Sequence, residues 1–345
     1  MRDGEPAPGA LPEEVVRAFR CPACRQPVEE TGGGLVCASG HLTPLRDGYL
    51  DASRNSADGA DGAGGSGHGD GAQGDAVRRT LESFGYEWTR FSAVQPEDEV
   101  YWHRYVADVD LAALAGRLAL DAGCGKGRFS RFTAVHVGAL VALDGSDAVT
   151  AAARNLGGVA NAVVVRADVR TMPFEAASFG FISCLGVLHH LPDPRAGFDA
   201  LVHLLAPGAL LLVYVYSRPE QPGVRAAALR AASGLRRWTV RLPHPILRPL
   251  CRPLALGLYA LVVAPGGIGA RRGWKRLAAL PLATYRGQPA RSLWLDTFDR
   301  LSAPLEARYT EDELRRWFEE EDLVVLALRD DPALAGLVAL GRRAR

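Results

Sequence analysis

A glycine-rich turn after a short apolar run is the feature that most constrains this chain. The run Leu118-Ala-Leu120 leads into Asp121-Ala-Gly-Cys-Gly-Lys-Gly127, and the next residues read as a helix from Arg128 to Val135. A strand, turn and helix in this order bring backbone N–H groups close to a ligand. The glycines are spaced G-x-G-x-G, and Arg128 stands where the dinucleotide fingerprint has its third glycine. The turn therefore predicts a doubly wound α/β domain and argues against a dinucleotide.

Two carboxylates at strand ends narrow the choice of ligand. Asp121 ends the first strand, where its charge would repel a pyrophosphate. A ligand with an ammonium group and no phosphate suits the turn better, and S-adenosylmethionine (SAM) is such a ligand. The second apolar strand ends in Asp144, and a carboxylate there can accept hydrogen bonds from both hydroxyls of a ribose. A doubly wound domain with an NAD or flavin site is the alternative.

Five ordered stretches between Leu118 and Tyr216 carry a family resemblance. They are LALDAGCGKGRF, LVALDGSDAVTAAARN, VVVRADVRTMPF, SFGFISCLGVLHHLPD and LLAPGALLLVYVY. In this order and spacing the chain resembles the class I SAM-dependent methyltransferases, particularly their small-molecule branch. One departure is Gly180, where the family usually carries an acidic residue. The resemblance implies a doubly wound, mostly parallel sheet of seven strands.

The resemblance also implies a set of cofactor contacts. It places Asp121, Gly123 and Gly125 beside the methionine part of SAM. It implies that Asp144 holds the ribose, and that Asp168 and Val169 meet the adenine. The residues expected to bind the cofactor are, in full, Asp121, Gly123, Cys124, Gly125, Asp144, Gly145, Asp168, Val169 and Leu185.

Two adjacent histidines are the candidates for acid–base chemistry. His189 and His190 follow the fourth strand, at the edge where open α/β sheets bind ligands. A sulfonium is already a good leaving group, so a general base is needed only if the methyl acceptor must lose a proton. One of the two imidazoles could be that base. The alternative is that the pair only shapes the loop.

A cysteine cluster near the N-terminus predicts a metal site. Cys21 and Cys24 form a C-x2-C pair, and Cys37 and His41 follow as C-x3-H. Three thiolates and one imidazole make a closed tetrahedral Zn²⁺ site, which is structural because no coordination position stays open. The alternatives are a ribbon without metal or a redox C-x2-C pair. The segment resembles the short zinc-ribbon domain that precedes several methyltransferase domains, including bacterial 23S ribosomal RNA guanine methyltransferases.

The chain has 345 residues, which is long enough for about two domains. Its composition and hydrophobic pattern divide it into seven segments. Residues between 53 and 75 include no aliphatic side chain larger than Ala and cannot bury a core. The expected segments are 1–15 disordered, 16–52 zinc ribbon, 53–75 flexible linker, 76–117 helical lead-in, 118–216 SAM-binding core, 217–303 helical insertion and 304–345 C-terminal helix with an antiparallel strand pair.

The insertion is basic and partly apolar. Between Arg218 and Arg300 there are fifteen Lys or Arg residues and three Asp or Glu residues. The uncharged part, Pro253 to Ile268, is shorter than the roughly 20 residues that span a bilayer, and Pro265 interrupts it. We expect a substrate lid here that can also contact a membrane surface. After it, Thr310 and Glu313 form a capping-box pattern at a helix start.

These features predict a methyltransferase for a small, apolar or biosynthetic-pathway substrate. The alternative is a ribosomal or transfer RNA methyltransferase that uses the ribbon and the basic insertion to bind RNA. A net charge of +1 carries no nucleic-acid signature, so we expect no such partner. A non-enzymatic SAM-binding scaffold is the third possibility. The N-terminal sequence has no apolar run, which predicts no signal peptide and a cytoplasmic location.

Overall fold

The N-terminal unit is a helix followed by a four-stranded antiparallel meander. The computed structural model describes residues 10–53, 72–219, 223–278, 280, 282, 285–331 and 333–344. The unit consists of α1 (Glu13–Ala18), β1 (Val28–Thr31), β2 (Gly34–Cys37), β3 (Leu42–Arg46) and β4 (Tyr49–Asp51). Because α1 begins at Glu13, the expectation of disorder is wrong for residues 13–15. Residues 1–9 lie outside the described residues.

Two helices precede the central sheet, α2 (Ala72–Arg90) and α3 (Pro96–Tyr105). Most of the expected linker, residues 54–71, lies outside the described residues, but its last residues already belong to α2. In α3 the indole of Trp102 is buried and donates to Thr133 Oγ1 at 3.0 Å. This contact joins α3 to the helix Ser130–Ala134 of the next segment.

Strands and helices then alternate. The elements are β5 (Leu118–Ala122), α4 (Ser130–Ala134), β6 (Ala139–Asp144), α5 (Val149–Leu156), β7 (Ala162–Arg166), β8 (Phe179–Leu185), α6 (Pro194–Leu204) and β9 (Leu205–Tyr216). Parallel strands covered on both faces read as apolar runs, and Leu120, Val141 and Ile182 are accordingly fully buried.

The insertion is helical. Its elements are α7 (Val224–Thr239), α8 (His244–Leu258), α9 (Ala264–Arg272), α10 (Lys275–Ala278) and α11 (Ala290–Ser302). A π turn, Tyr259–Val263, joins α8 to α9, so one helix runs from His244 to Arg272. The expected interruption at Pro265 is wrong, because Pro265 lies in the first turn after the π turn, where a missing N–H is tolerated.

This joined helix is longer than the sequence suggested. It has 29 residues, and its apolar window has a mean hydropathy of 1.6, so by length and composition it could cross a membrane. The expectation of a segment too short to span is therefore wrong on length. One face of the helix packs on the protein, where Leu247 and Cys251 meet Phe298 of α11. Only 22% of the window is buried, so most of the helix surface faces outward.

The C-terminal segment closes the sheet with α12 (Glu311–Glu320), β10 (Leu323–Asp331) and β11 (Gly336–Arg343). The capping box is confirmed: Thr310 Oγ1 accepts from the Glu313 N–H at 3.2 Å, and Glu313 Oε2 accepts from the Thr310 N–H at 2.8 Å. Leu314 and Phe318 bury the inner face of α12 against the sheet.

Within the described residues, eleven strands form one sheet in the order β1-β2-β3-β4-β7-β6-β5-β8-β9-β11-β10. The five strands β5 to β9 are parallel to their neighbours in this group. Strand β11 pairs antiparallel with both β9 and β10. The seven-stranded, doubly wound arrangement that was predicted is confirmed. The strand order reverses beside β5, which places a ligand crevice at the carboxyl ends of β5 and its neighbours.

The N-terminal unit extends this sheet. Strand β4 pairs in parallel with β7, with Leu50 opposite Val165. Phe19 lies edge-on to Phe174 at 5.5 Å, and the guanidinium of Arg25 donates to the carbonyls of Met172 and Phe174 at 3.0 and 2.9 Å. Backbone pairing and a shared apolar core therefore join the cysteine unit to the central domain.

Candidate active site

A large cavity occupies the carboxyl ends of the parallel strands. Its volume is about 2490 Å³, against the roughly 300–1,000 Å³ of an ordinary small-molecule pocket. Residues that follow β5, β6, β7, β8 and β9 line its floor, while α2 and the insertion helices α8 and α11 cover it. The cavity therefore has room for two ligands side by side.

The glycine turn after β5 forms one wall of the cavity. Gly123 and Gly125 have φ angles of +82° and +54°. A Cβ on Gly123 would lie 2.2 Å from a methyl group of Val187, and one on Gly125 would lie 3.3 Å from the indole nitrogen of Trp88. Only glycine fits at Gly123, because the turn packs tightly against Val187 of the loop after β8.

Asp144 ties the glycine turn to the end of β6. Its carboxylate accepts from the Gly125 N–H at 2.9 Å, from the Ser146 N–H at 2.8 Å and from the Ser146 hydroxyl at 2.6 Å. Burial raises the pKa of Asp144, and these bonds oppose the rise. A carboxylate has about four acceptor positions, so Asp144 keeps capacity for a ribose hydroxyl.

Asp121 lies beneath the turn. It is 3% exposed and does not line the cavity. Its carboxylate accepts from the hydroxyls of Ser130 at 2.6 Å and Ser183 at 3.3 Å, and burial raises its pKa to about 6. Asp121 therefore joins the turn to α4 and β8, and its contact with the methionine part of SAM stays a prediction.

The other predicted cofactor residues lie together. Asp168, at the end of the β7 segment, accepts a bidentate bond from Arg170 at 2.6–3.1 Å. The cavity wall includes eight of the nine predicted residues: Gly123, Cys124, Gly125, Asp144, Gly145, Asp168, Val169 and Leu185. The structure therefore brings these eight residues together on one cavity, and their contacts with SAM stay a prediction.

Helix α2 covers this wall. Leu81, Phe84 and Trp88 all line the cavity from α2, and the hydroxyls of Ser83 and Ser302 bond at 2.6 Å. The lead-in helix and the insertion thus contact each other, and both line the cavity.

The two histidines differ in their access to the cavity. His190 lines it, lies 4.9 Å from the ring of Phe84, and holds its Nδ1 2.6 Å from the Leu305 carbonyl. A carbonyl only accepts, so Nδ1 carries the proton. Burial lowers the pKa of His190 to about 4, which makes its imidazole a weak base. The general-base role of this residue stays a prediction.

His189 does not line the cavity. It is 1% exposed, and its ring lies 4.0 Å from that of Tyr216. Neither ring nitrogen has a hydrogen-bond partner among the described residues, and burial lowers its pKa well below the usual range. Its catalytic role stays a prediction, and would have to be exerted through the neighbouring His190 or Tyr216.

A group of buried acids on the opposite wall was missed by sequence reasoning. Asp296 and Asp299 of α11 and Glu87 of α2 line the same cavity. Asp299 Oδ2 accepts from the Tyr216 hydroxyl at 3.3 Å, whereas its Oδ1 is buried without a partner in the described part of the chain. Burial, and then the neighbouring Asp296, raise the pKa of Asp299 to about 7.

Glu87 shares this environment. It is 2% exposed, and its Oε2 likewise lacks a partner among the described residues. Burial and the charge of Asp299 raise its pKa well above the usual range. A sequence signal for the group did exist: no Asp or Glu occurs from residue 221 to residue 295, and then Asp296 and Asp299 follow three residues apart. Two acids at the end of such a basic segment indicate a specific structural or functional role.

The comparison with known proteins is consistent with this geometry. The profile of the family described as a methyltransferase domain matches residues 120–213. The ubiquinone biosynthesis O-methyltransferase of Azotobacter vinelandii is 31% identical over 178 residues, which are 50% of this chain and 74% of that relative. The chain belongs to the class I SAM-dependent methyltransferases.

Other relatives of this methyltransferase match shorter parts of themselves. An uncharacterised protein from Synechococcus sp. is 30% identical over 223 residues, or 61% of this chain and 48% of that protein. The demethylmenaquinone methyltransferase of Clavibacter sepedonicus is 32% identical over 116 residues, or 33% of this chain and 47% of that enzyme. The chain thus spans about half the length of these two relatives. A solved SAM-dependent methyltransferase from Mesorhizobium loti, 16% identical, aligns over 70% of this chain and 97% of its own with a TM-score of 0.42.

The methyltransferase carries a second predicted site in its N-terminal unit. The donor atoms of Cys21, Cys24, Cys37 and His41 all lie within 4.8 Å of one another. Cys24 Sγ is 3.6 Å from Cys37 Sγ, and His41 Nδ1 is 3.6 Å from Cys21 Sγ and 3.5 Å from Cys37 Sγ. Ligands on a tetrahedral Zn²⁺ are separated by about 3.5–3.8 Å, given its bond lengths. The cluster therefore fits a closed tetrahedral metal site.

Asp144→Ala tests the cofactor wall. The substitution removes acceptors for the ribose and releases the Gly125 N–H, so we expect SAM affinity to fall by roughly 1.5–3 kcal/mol, as for hydrogen bonds to a charged group. Isothermal titration calorimetry measures this directly. Asp110→Ala, which removes an exposed carboxylate outside the cavity, is the control. Equal SAM affinity in the two variants would contradict the assignment of Asp144.

Proposed function

We propose that this protein transfers the methyl group of SAM to a hydroxyl group on a small molecule with a polar head and a long apolar part. The observation that carries the proposal is one cavity with three different walls. The glycine turn and Asp144 form the first wall, Asp299 and its acidic neighbours form the second, and apolar side chains of the insertion form the third. The N-terminal cluster would hold a structural zinc ion, and the protein would work in the cytoplasm.

The first wall fits SAM by its chemistry. The close turn at Gly123 and Gly125 admits a ligand against the backbone, Asp144 offers acceptors to a ribose, and Val169 offers a buried apolar surface to a base. Bound there, SAM supplies an electrophilic methyl group on a sulfonium. The protein aligns the acceptor oxygen with that methyl and excludes water.

The second wall supplies a proton acceptor. As the acceptor oxygen forms its bond to the methyl carbon, the bond from that carbon to sulfur breaks, and the hydroxyl proton passes to Asp299. Asp299 lines the cavity and its carboxylate is held by the Tyr216 hydroxyl, so this carboxylate is the group that would receive the proton. Tyr216 thus orients the base from the end of β9, and burial, then the charge of Asp296, raise its pKa to about 7.

The third wall suits an apolar tail. Its members come from the insertion and include Leu229, Leu235, Leu254, Leu258, Val262 and Leu293. The named relatives support this substrate class, since two of them are methyltransferases of ubiquinone biosynthesis and of demethylmenaquinone. RNA as the acceptor stays an alternative that no feature of the cavity favours.

A series of dihydroxyarenes with alkyl tails of increasing length tests the proposed substrate class. Each buried methylene is worth about 0.8 kcal/mol, so we expect kcat/KM to rise up to about fourfold per methylene until the apolar wall is covered. Leu258→Ser should flatten this dependence. Leu326→Ser, an exposed position outside the cavity, is the control and should leave it unchanged. Rates that do not depend on tail length would contradict an apolar acceptor.

A further inference from the structure

Exposed apolar side chains are concentrated on the insertion. Among the described residues, sixteen large hydrophobic side chains are exposed, and ten of them fall between residues 235 and 274. Two of the ten are tryptophans, Trp238 at 70% and Trp274 at 50% exposure, and the most exposed is Leu261 at 78%. Single exposed apolar residues are ordinary, but a set gathered on one segment marks an interaction surface.

The joined helix His244–Arg272 arranges part of this set as a stripe. At about 100° per residue, Ile246, Leu250 and Leu254 of α8 fall within one sector of roughly 80°, and Leu261 and Ile268 are exposed further along the same helix, within and after the π turn. The adjacent face, about 100° around the helix, packs on the protein through Leu247, Cys251 and Ala255. A helix held along one side in this way lies on a surface and does not cross it, because a spanning helix would need its packed side as well.

The charge around the stripe has one sign. From residue 221 to residue 295 the chain carries thirteen Lys or Arg residues and no Asp or Glu. The exposed run Arg271-Arg-Gly-Trp-Lys-Arg276 places Trp274 among four cations, and Arg241 lies 5.7 Å from the ring of Trp238. Tryptophan and arginine together suit the boundary between lipid headgroups and acyl chains. The complementary surface is apolar within and anionic at its boundary, which describes an anionic bilayer.

The stripe is continuous with the cavity. Leu235 and Leu254 line the cavity and are also 45% and 40% exposed. The apolar wall therefore reaches the outer surface at the place where the exposed side chains are densest. A molecule with an apolar tail could pass from a bilayer into the cavity without meeting water.

We propose that the insertion docks on an anionic lipid bilayer through the surface formed by Trp238, the stripe of the joined helix, and the basic run Arg271–Arg276. Docking itself is independent of the proposed function; only the passage of an acceptor through Leu235 and Leu254 rests on it. Vesicle binding needs no acceptor, so failure of docking and failure of methyl transfer can be told apart.

Flotation of the full chain with phosphatidylglycerol–phosphatidylcholine vesicles tests the proposal. We expect binding at low ionic strength, with weaker binding to phosphatidylcholine alone and a decrease as salt is raised. The double variant Trp238→Ser, Leu261→Asp should lower the partition constant at least about tenfold, since two apolar side chains no longer enter the bilayer. Val135→Asp carries the same new charge at a position 77% exposed at the end of α4, and it should bind like the unmodified protein.

Calorimetry with SAM shows that each variant keeps its cofactor site and is folded. Three results would overturn the proposal: no flotation of the unmodified protein at low salt, equal flotation of the double variant, or self-association that the double variant abolishes in the absence of lipid. The last result would identify the surface as a contact between copies of the chain.

Discussion

Asp299→Asn is expected to lower kcat by about 10²–10⁴-fold, the usual contribution of a positioned general base. The amide keeps the size of the side chain and its bond with the Tyr216 hydroxyl, but it cannot take up a proton. Asp299 makes no hydrogen bond to the glycine turn or to Asp144 among the described residues, so we expect SAM affinity measured by calorimetry to fall much less than kcat. The rate of methyl transfer is measured from the amount of S-adenosylhomocysteine released.

The pH dependence of the same reaction identifies the base. Because burial and Asp296 raise the pKa of Asp299 to about 7, kcat/KM should rise with pH through a midpoint near 7, as the carboxylate forms. Asp296→Asn removes the neighbouring charge and should move that midpoint to lower pH. If His190 were the base, the rise would have its midpoint near 4, where burial places the pKa of that imidazole. Loss of activity in His190→Gln with full activity in Asp299→Asn would contradict our assignment.

Asp299 also opposes folding at neutral and higher pH. An acid whose pKa is higher in the folded than in the unfolded chain stabilises the fold most when protonated, and that stability is lost as pH rises through the folded-state pKa. We therefore expect Asp299→Asn to unfold at a higher temperature than the unmodified protein at pH 8. A variant that loses activity and gains stability cannot have failed to fold.

The double variant Cys21→Ser, Cys24→Ser should lose its metal and unfold the N-terminal unit. Structural Zn²⁺ contributes about 10–16 kcal/mol in zinc-finger peptides, which equals or exceeds the whole stability of an ordinary domain. The unit is small and shares its buried side chains with the core of the central domain, so we expect the metal to be a main support of its own fold. Its loss would uncover the edge of β7 and Phe174 in the central domain.

Elemental analysis and thermal unfolding measure both effects. The unmodified protein should carry about one zinc ion per chain, and the double variant none, with a lower Tm. Cys251→Ser, a buried free thiol of the insertion, controls for the loss of a cysteine and should keep its zinc. Absence of zinc after purification with added metal, or equal zinc in the double variant, would contradict the site.

Local chemistry made much of this molecule predictable. The Cys21–His41 cluster, the glycine turn and the Thr310 capping box each depend on residues close together in sequence, and the structure has all three where they were expected. The order of the strands followed from the family resemblance. These features can be recognised from the sequence because they depend on few contacts between residues that are distant in the chain.

The features that were missed depend on distant contacts. Strand β4 has only three residues, and its partner β7 lies over a hundred positions away in the sequence. The pairing of these two strands therefore leaves no periodic hydrophobic pattern in the sequence. The helix continues through Pro265 because a π turn precedes it, which residue type alone does not show. Asp299 reads as an ordinary helical acid until α2 and β9 bring Glu87 and Tyr216 beside it.

Transfer of a deuterated methyl group tests the central claim most directly. The protein is incubated with SAM carrying a CD₃ group, a bacterial lipid extract and total RNA, and each fraction is analysed by mass spectrometry. We expect the label on a lipid-soluble small molecule, with the signal lost in Asp299→Asn and absent from RNA. Label in the RNA, or no label in any fraction from a protein that binds SAM, would contradict the account.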